Sequence, residues 1–322
     1  MKQFISRAYN SFEVDTRTKA LVIKRSKEFR LRDEADYYIN IPENLAVYFP
    51  RLNYYRLNND IHEISMEYYA YDNLGNLMIN NRFDENLWVK ISEFIFTYIN
   101  NCFEHKIDTI NTTDSRLMYI NKTENEYNNL INNFEFFKIF ETNDSIVLNG
   151  VELKTFKTIW PKIKEYIENN CLVNNLNYIH GDFCFSNILY GINPINNDVV
   201  LKYIDPRGCF GNTKFYGDYY YDLAKLLHSC DGGYEYFITD NFKISNDNIN
   251  FTLEYSNNNN VKIRKIFNEI ISKYNFNQTK TDILQGTIFI GMCARHYDSL
   301  DRQKAMFLTG LKILNKIYKS LL

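Results

Sequence analysis

The chain has 322 residues, with 37 Lys and Arg against 39 Asp and Glu, so its formal charge is only −2. Proteins built to hold nucleic acid or another polyanion usually carry a basic excess, so that class is set aside. Apolar residues make up 45% and charged residues 24%, which excludes a chain disordered throughout and leaves room for one large or two linked domains.

No apolar run approaches the ~18 residues that a membrane helix needs, so no span is expected. The opening MKQFISRAYNSFEVD has no apolar signal core. The six cysteines form no CxxC pair and read as reduced thiols of a cytoplasmic protein.

Residues 1–72 are expected to be strand-rich. FEVD (12–15) and KALVIK (19–24) are short β-type runs around the turn-prone TRT. A helix is predicted from about Lys27 to Ile39, ending before Pro42. YFPRLNYY and HEISMEYYAY read as two further strands. A short hinge near 69–76 then divides residues 1–75 from residues 76–322.

Beyond residue 84 the apolar period becomes helical. Asp84 is placed to cap a helix bearing Trp88, Ile91, Phe94, Ile95 and Tyr98 on one face. Thr123 and Glu126 form a T-x-x-E capping box, predicting a helix start there. A helix is expected near 155–170, and three more at about 261–274, 282–297 and 302–321. Between them, 178–211 reads as loop, strand, turn and second strand, with NPINND as the turn.

The chemistry is concentrated in HGDFCFSN, His180 to Asn187. An Asp followed five positions later by an Asn is the spacing of a kinase catalytic loop. There the Asp accepts the proton of an attacking hydroxyl and the Asn binds a metal on the nucleotide phosphates. Asp205, in KYIDPRG, ends the second apolar strand of the same hairpin. That places Asn187 and Asp205 to share Mg²⁺, a hard ion that takes oxygen ligands.

The order HGDFCFSN (180–187), YIDPRG (203–208) and GDYYYDLAKLL (217–227) resembles the aminoglycoside phosphotransferase and choline kinase family. The tail CARHYDSLDRQKAMFLTGLKIL resembles members associated with bacterial capsule and surface-glycan biosynthesis, a less specific match. The resemblance implies an α+β, protein-kinase-like fold of two lobes, a small β-rich lobe over ATP and a larger helical lobe. It implies that Lys24 holds the α- and β-phosphates and that Glu34 pairs with Lys24. It places adenine along ISMEYYAYDNL, near Glu67 to Tyr69. Asp182 becomes the catalytic base, with Asn187 and Asp205 as metal ligands. The usual phosphate loop is glycine-rich, whereas SRAYNSF (6–12) has no glycine. Ser6, Asn10 and Ser11 are the available side-chain donors there.

Other residues have plainer readings. His180 braces the loop and Asp222 anchors its backbone. Asp218 lines the acceptor pocket or caps the helix that follows. His228 packs within that helix and Cys184 has no visible base; the tyrosines at 216, 219, 220, 221, 234 and 236 read as packing, with stacking on a sugar face or around a quaternary amine as the alternative. The function expected is transfer of the ATP γ-phosphate to a hydroxyl of a small sugar, polyol or amino alcohol. A polycationic aminoglycoside would need an acidic pocket that the sequence does not display. The alternative is a catalytically silent kinase-like protein that binds a nucleotide or a partner.

Overall fold

Alternating burial along the first strands makes one face of a sheet apolar. The computed structural model of the protein describes residues 10–15, 20–80, 83–256 and 258–322. Asn10–Val14, Leu21–Ser26, Ile61–Glu67 and Leu52–Asn58 lie side by side in that order as an antiparallel sheet. Val22, Lys24 and Ser26 are buried on one face of the second strand, with Lys24 paired between Phe12 and Ile64. Helix Arg30–Ile39 covers that face with Leu31, Glu34, Ala35 and Tyr38, one stripe at helical spacing. It starts three residues later than Lys27, because the Ser26 hydroxyl accepts from Glu28 N–H at 3.1 Å in a preceding turn.

The chain leaves this sheet through Tyr68–Tyr71. Asp72 and Asn73 then pair with Tyr190 and Leu189 of the hairpin Ile188–Ile192/Val199–Tyr203. A mainly helical region follows. Asp84 caps helix Glu85–Cys102 by accepting from Leu87 N–H at 3.1 Å, as expected, and the helix buries Trp88, Ile91, Ile95 and Tyr98. Helices Phe156–Asn170, Tyr219–Cys230, Asn258–Lys273, Gln278–Ile290 and Leu300–Ser320 complete the core.

Two expectations need correction. The Thr123 capping box does not form, because Lys122–Asn133 continues from the preceding helical turns. The buried Thr123 hydroxyl instead donates to Tyr119 O at 2.9 Å. The helix expected over 282–297 ends at Ile290; Gly291 closes it, and Cys293–His296 forms a separate short turn.

A further four-stranded sheet lies in segments to which no element was assigned from the sequence. Its order is Phe242–Asp247, Asn250–Tyr255, Ser145–Leu148, Val151–Lys154. Asn149 and Gly150 turn its last two strands, both at positive φ, the conformation such a two-residue turn demands. Phe140, Phe251 and Phe307 pack over this sheet, with Phe140 and Phe307 centroids 4.5 Å apart. Among the described residues no helix is long and apolar enough to cross a membrane.

Candidate active site

The loop after strand Asn175–Tyr178 is fastened from below. The Asp222 carboxylate, in helix Tyr219–Cys230, accepts from His180 N–H at 2.7 Å and Gly181 N–H at 2.8 Å. The fully buried His180 ring lies 3.0 Å from Ile204 O through Nε2, while Nδ1 accepts from Asp182 N–H at 3.2 Å. Burial pulls its pKa down to about 4, so the ring is a neutral spacer and no base. Phe185 N–H donates to Ser229 Oγ at 3.0 Å, and that hydroxyl donates to Glu235 at 2.7 Å. Burial also lifts the Cys184 thiol to about 12, which removes it as a nucleophile.

Above these anchors the loop and hairpin converge. Asn187 Nδ2 donates to Asp182 O at 2.9 Å, and Ile204 N–H donates to Asn187 O at 3.0 Å. Asp205 adopts φ +57°, a left-handed conformation tolerated by Asp and found at strained functional positions. Three residues on, Gly208 lies so close to Asp33 O that a Cβ would sit 2.5 Å from it, so only glycine fits.

Lys24 bridges the two regions. Its ammonium is 2.6 Å from Glu34 Oε2 and 2.7 Å from Asp205 Oδ1, and the residue is 5% exposed. Burial pulls the Lys24 pKa down, but Asp205 and Glu34 more than restore it, so the ammonium stays charged. Asp205, burial notwithstanding, is held below its ordinary range by Lys24. Its side chain remains 39% exposed, towards a cavity of about 630 Å³. Lys24, Glu34, Glu67, Tyr69, Asp182, Asn187 and Asp205 all line that cavity, with Phe12, Val22, Met66 and Leu189 as its apolar walls.

Two expected contributors behave differently. Ser11 is exposed, because strand alternation turns it away while Asn10 and Phe12 face the cavity. Ser6 lies outside the described residues. Along the crossing segment, Glu67 N–H and Tyr68 N–H are taken by Arg51 O and Ala20 O, at 3.0 and 2.8 Å. The Glu67 carboxylate accepts from Arg51 N–H and the Tyr69 hydroxyl, so it braces the segment. Asp218 is 2% exposed and lines neither cavity described here. It caps helix Tyr219–Cys230 and pairs with Lys280 at 2.6 Å.

Sequence reasoning did not anticipate the cations around Asp182. Lys225 is 2.8 Å from Asp182 Oδ1, and Arg30 is 3.5 Å from Oδ2. Lys225 was nevertheless visible as a lone charge inside the apolar run LAKLL. Arg207, Lys122 and Arg295 line a second, smaller space beside the same carboxylate. Tyr221 and Tyr234 also line it, whereas Tyr219 and Tyr220 pack on Phe276 as the plainer reading expected.

Asn187 and Asp205 both line the cavity and carry oxygens of the kind a hard divalent ion takes. Among the described residues no cluster of three or more His, Cys, Asp or Glu could hold one alone. Phosphate oxygens would have to complete such a site.

No protein-family model and no curated protein sequence matches the chain. Solved structures do. A thermostable mutant of aminoglycoside phosphotransferase APH(4)-Ia, in complex with ADP and hygromycin B, superposes with a TM-score of 0.56 at 8% identity. That match covers 94% of this chain and 88% of the other. The complex of another such mutant with AMP-PNP and hygromycin B gives 0.55 at 8% identity, over 98% and 95%. Aminoglycoside phosphotransferase APH(4)-Ia itself gives 0.52 at 8% identity, over 98% and 91%. The chain therefore has the kinase-like fold of aminoglycoside phosphotransferases, with a small β-rich N-terminal region and a mostly helical remainder.

Proposed function

We propose that the protein is an ATP-dependent phosphotransferase whose acceptor is a hydroxyl of a small molecule. One observation carries the reading: the Lys24–Glu34–Asp205 cluster and the Asp182–Asn187 pair open onto one cavity. Kinase-like chemistry needs little else, since its loose transition state is stabilised by positioning and charge.

In this reading Lys24, oriented by Glu34, binds the α- and β-phosphates, and the apolar walls receive adenine. Tyr69 N–H, which has no protein partner among the described residues, is available to the base edge. Asn187 and Asp205 would hold Mg²⁺, which neutralises phosphate charge when bound. Asp182 orients the acceptor hydroxyl and takes its proton. The acceptor oxygen bonds to the γ-phosphorus, the bond to the bridging oxygen breaks, and ADP leaves. Residues 1–75 then act as the nucleotide-covering lobe and 76–322 as the catalytic and acceptor lobe. The sequence likeness to glycan-associated relatives supports a cytoplasmic role in capsule or surface-glycan synthesis.

The test is Mg²⁺-dependent consumption of ATP against a panel of sugars, polyols and amino alcohols, with thermal stabilisation by AMP-PNP measured alongside. Stabilisation without turnover on any acceptor would favour the silent kinase-like alternative. Absence of both would reject nucleotide binding itself.

A further inference from the structure

The smaller space beside Asp182 is ringed by Arg30, Lys122, Arg207, Lys225 and Arg295, of which Arg30 and Arg295 also line the adjoining nucleotide cavity. Five cations come from five separated places in the chain, while Asp182 is the one carboxylate among its lining residues. Lys225 and Arg30 pair with Asp182, and Arg295 pairs with Glu126 at 3.0 Å. Lys122 and Arg207 meet no carboxylate in an ion pair among the described residues. Each instead approaches the Tyr221 hydroxyl, at 3.2 and 3.4 Å.

Cations crowded together without anions repel one another, and burial adds to the cost. Lys122 shows the result: burial first, then Arg207, Arg295 and Lys225, pull its pKa down to about 8. The Tyr221 hydroxyl shows the converse. Burial pushes it up, yet Lys122, Arg207 and Lys225 outweigh that, and Asp182 opposing them, to bring it to about 7. The Tyr221 hydroxyl is thus the group that Lys122 and Arg207 reach in place of a carboxylate.

We propose that this space is the acceptor's anion subsite, so that the phosphorylated substrate is a hydroxylated small molecule carrying a phosphate or carboxylate group. The proposal rests on the phosphotransferase reading, because it takes Asp182 as the point where the acceptor hydroxyl sits. A volume of about 40 Å³ suits one compact oxyanion, being room for roughly three waters. Arg207 and Arg295 supply forked donors matched to phosphate and carboxylate, and Lys122 supplies a point charge. A polycationic acceptor would bring its ammonium groups against the same five charges, whose repulsion is strong where water is excluded.

The experiment uses the full chain saturated with Mg²⁺ and AMP-PNP, so that anions cannot report on the nucleotide cavity. Binding is measured by calorimetry for a hexose phosphate, a uronic acid, the parent hexose and hygromycin B. At least one of the two anionic probes is expected to bind tenfold or more tightly than the parent hexose and hygromycin B. Which one does so separates a phosphate from a carboxylate acceptor. Lys122→Gln is expected to weaken that probe about tenfold while leaving stabilisation by AMP-PNP unchanged; Tyr221→Phe, which spares every cation, is expected to retain it. Equal or tighter binding of the neutral or cationic probe overturns the proposal, as does anion binding that survives Lys122→Gln intact. Lack of binding by both anions also overturns it, while AMP-PNP stabilisation keeps the kinase reading alive. Failure of AMP-PNP to bind rejects the kinase reading instead.

Discussion

The two sides of Asp182 are built on opposite electrostatic plans. On the proposed nucleotide side one buried ammonium, Lys24, is held by two carboxylates, Glu34 and Asp205. On the other side five cations line a space with Asp182 as its one carboxylate, Arg30 and Arg295 being shared with the larger cavity, and two of the five lean on a phenol. The first arrangement pairs its cation with protein carboxylates alone, with one edge open at Asp205. The second is not balanced by the protein. A site whose charges are satisfied is rigid before its ligand arrives, whereas an unsatisfied one takes its counter-charge from the ligand.

The largest expected effect tests the residue that both sides share. Asp182→Asn keeps the shape but removes the proton acceptor, and should lower turnover by about 10² to 10⁴. Stabilisation by AMP-PNP should hardly change, because Lys24 and Asp205 lie outside the substitution. Turnover close to that of the parent protein, measured as ADP release, would show that Asp182 is not the base.

Lys24→Met should break the nucleotide side alone. It strands the buried Glu34 beside a half-exposed Asp205, and removing one partner of a buried pair costs roughly 3 kcal/mol or more. The exposure of Asp205 moderates that figure. The expected readouts are a lower melting temperature and loss of AMP-PNP stabilisation. A variant that still binds AMP-PNP like the parent would mean that Lys24 is a structural ion-pair partner only.

The same contrast explains what could be read from the chain. The nucleotide side was legible because its residues sit in short motifs: Asp182 to Asn187 within one loop, Asp205 at the end of the adjoining strand. The Lys24–Glu34 pair was expected only through the resemblance to the phosphotransferase family, which the order of strand and helix before the loop supported. The cationic side was illegible because Arg30, Lys122, Arg207, Lys225 and Arg295 meet only through tertiary packing. Arg295 arrives because Gly291 ends a helix earlier than its apolar period suggests. Ser11 failed for a simpler reason, the two-residue alternation of a strand, which sends its neighbours inward. The sheet built on Ser145–Lys154 was legible in principle. Its Asn149-Gly150 turn is a hairpin signal, but the flanking strands are four residues each and too short for a clear alternation.

The smallest effect, and the sharpest probe of the unbalanced side, is the titration of Tyr221. Its folded pKa is near 7, against about 10 in an unfolded chain. Between those values the unfolded state keeps a proton that the folded state has released, so stability should rise with pH above about 7. Below pH 7 that contribution is absent. Lys122, with its pKa lowered to about 8, loses its charge partway through the window. Between that value and the ordinary lysine pKa of about 10.4 the unfolded state keeps this proton too, so Lys122 steepens the rise above about pH 8. The groups facing the phenol are Lys122, Arg207, Lys225 and Asp182, from four separate segments. In Tyr221→Phe the tyrosinate signal in the ultraviolet difference spectrum near neutral pH should vanish, together with the pH-dependent part of the stability gap. An anion seated among the cations should return the proton to Tyr221, since it competes for the same positive field. A native tyrosinate signal unchanged by Tyr221→Phe would place the ionised phenol elsewhere and leave the two sides of Asp182 less different than their geometry indicates.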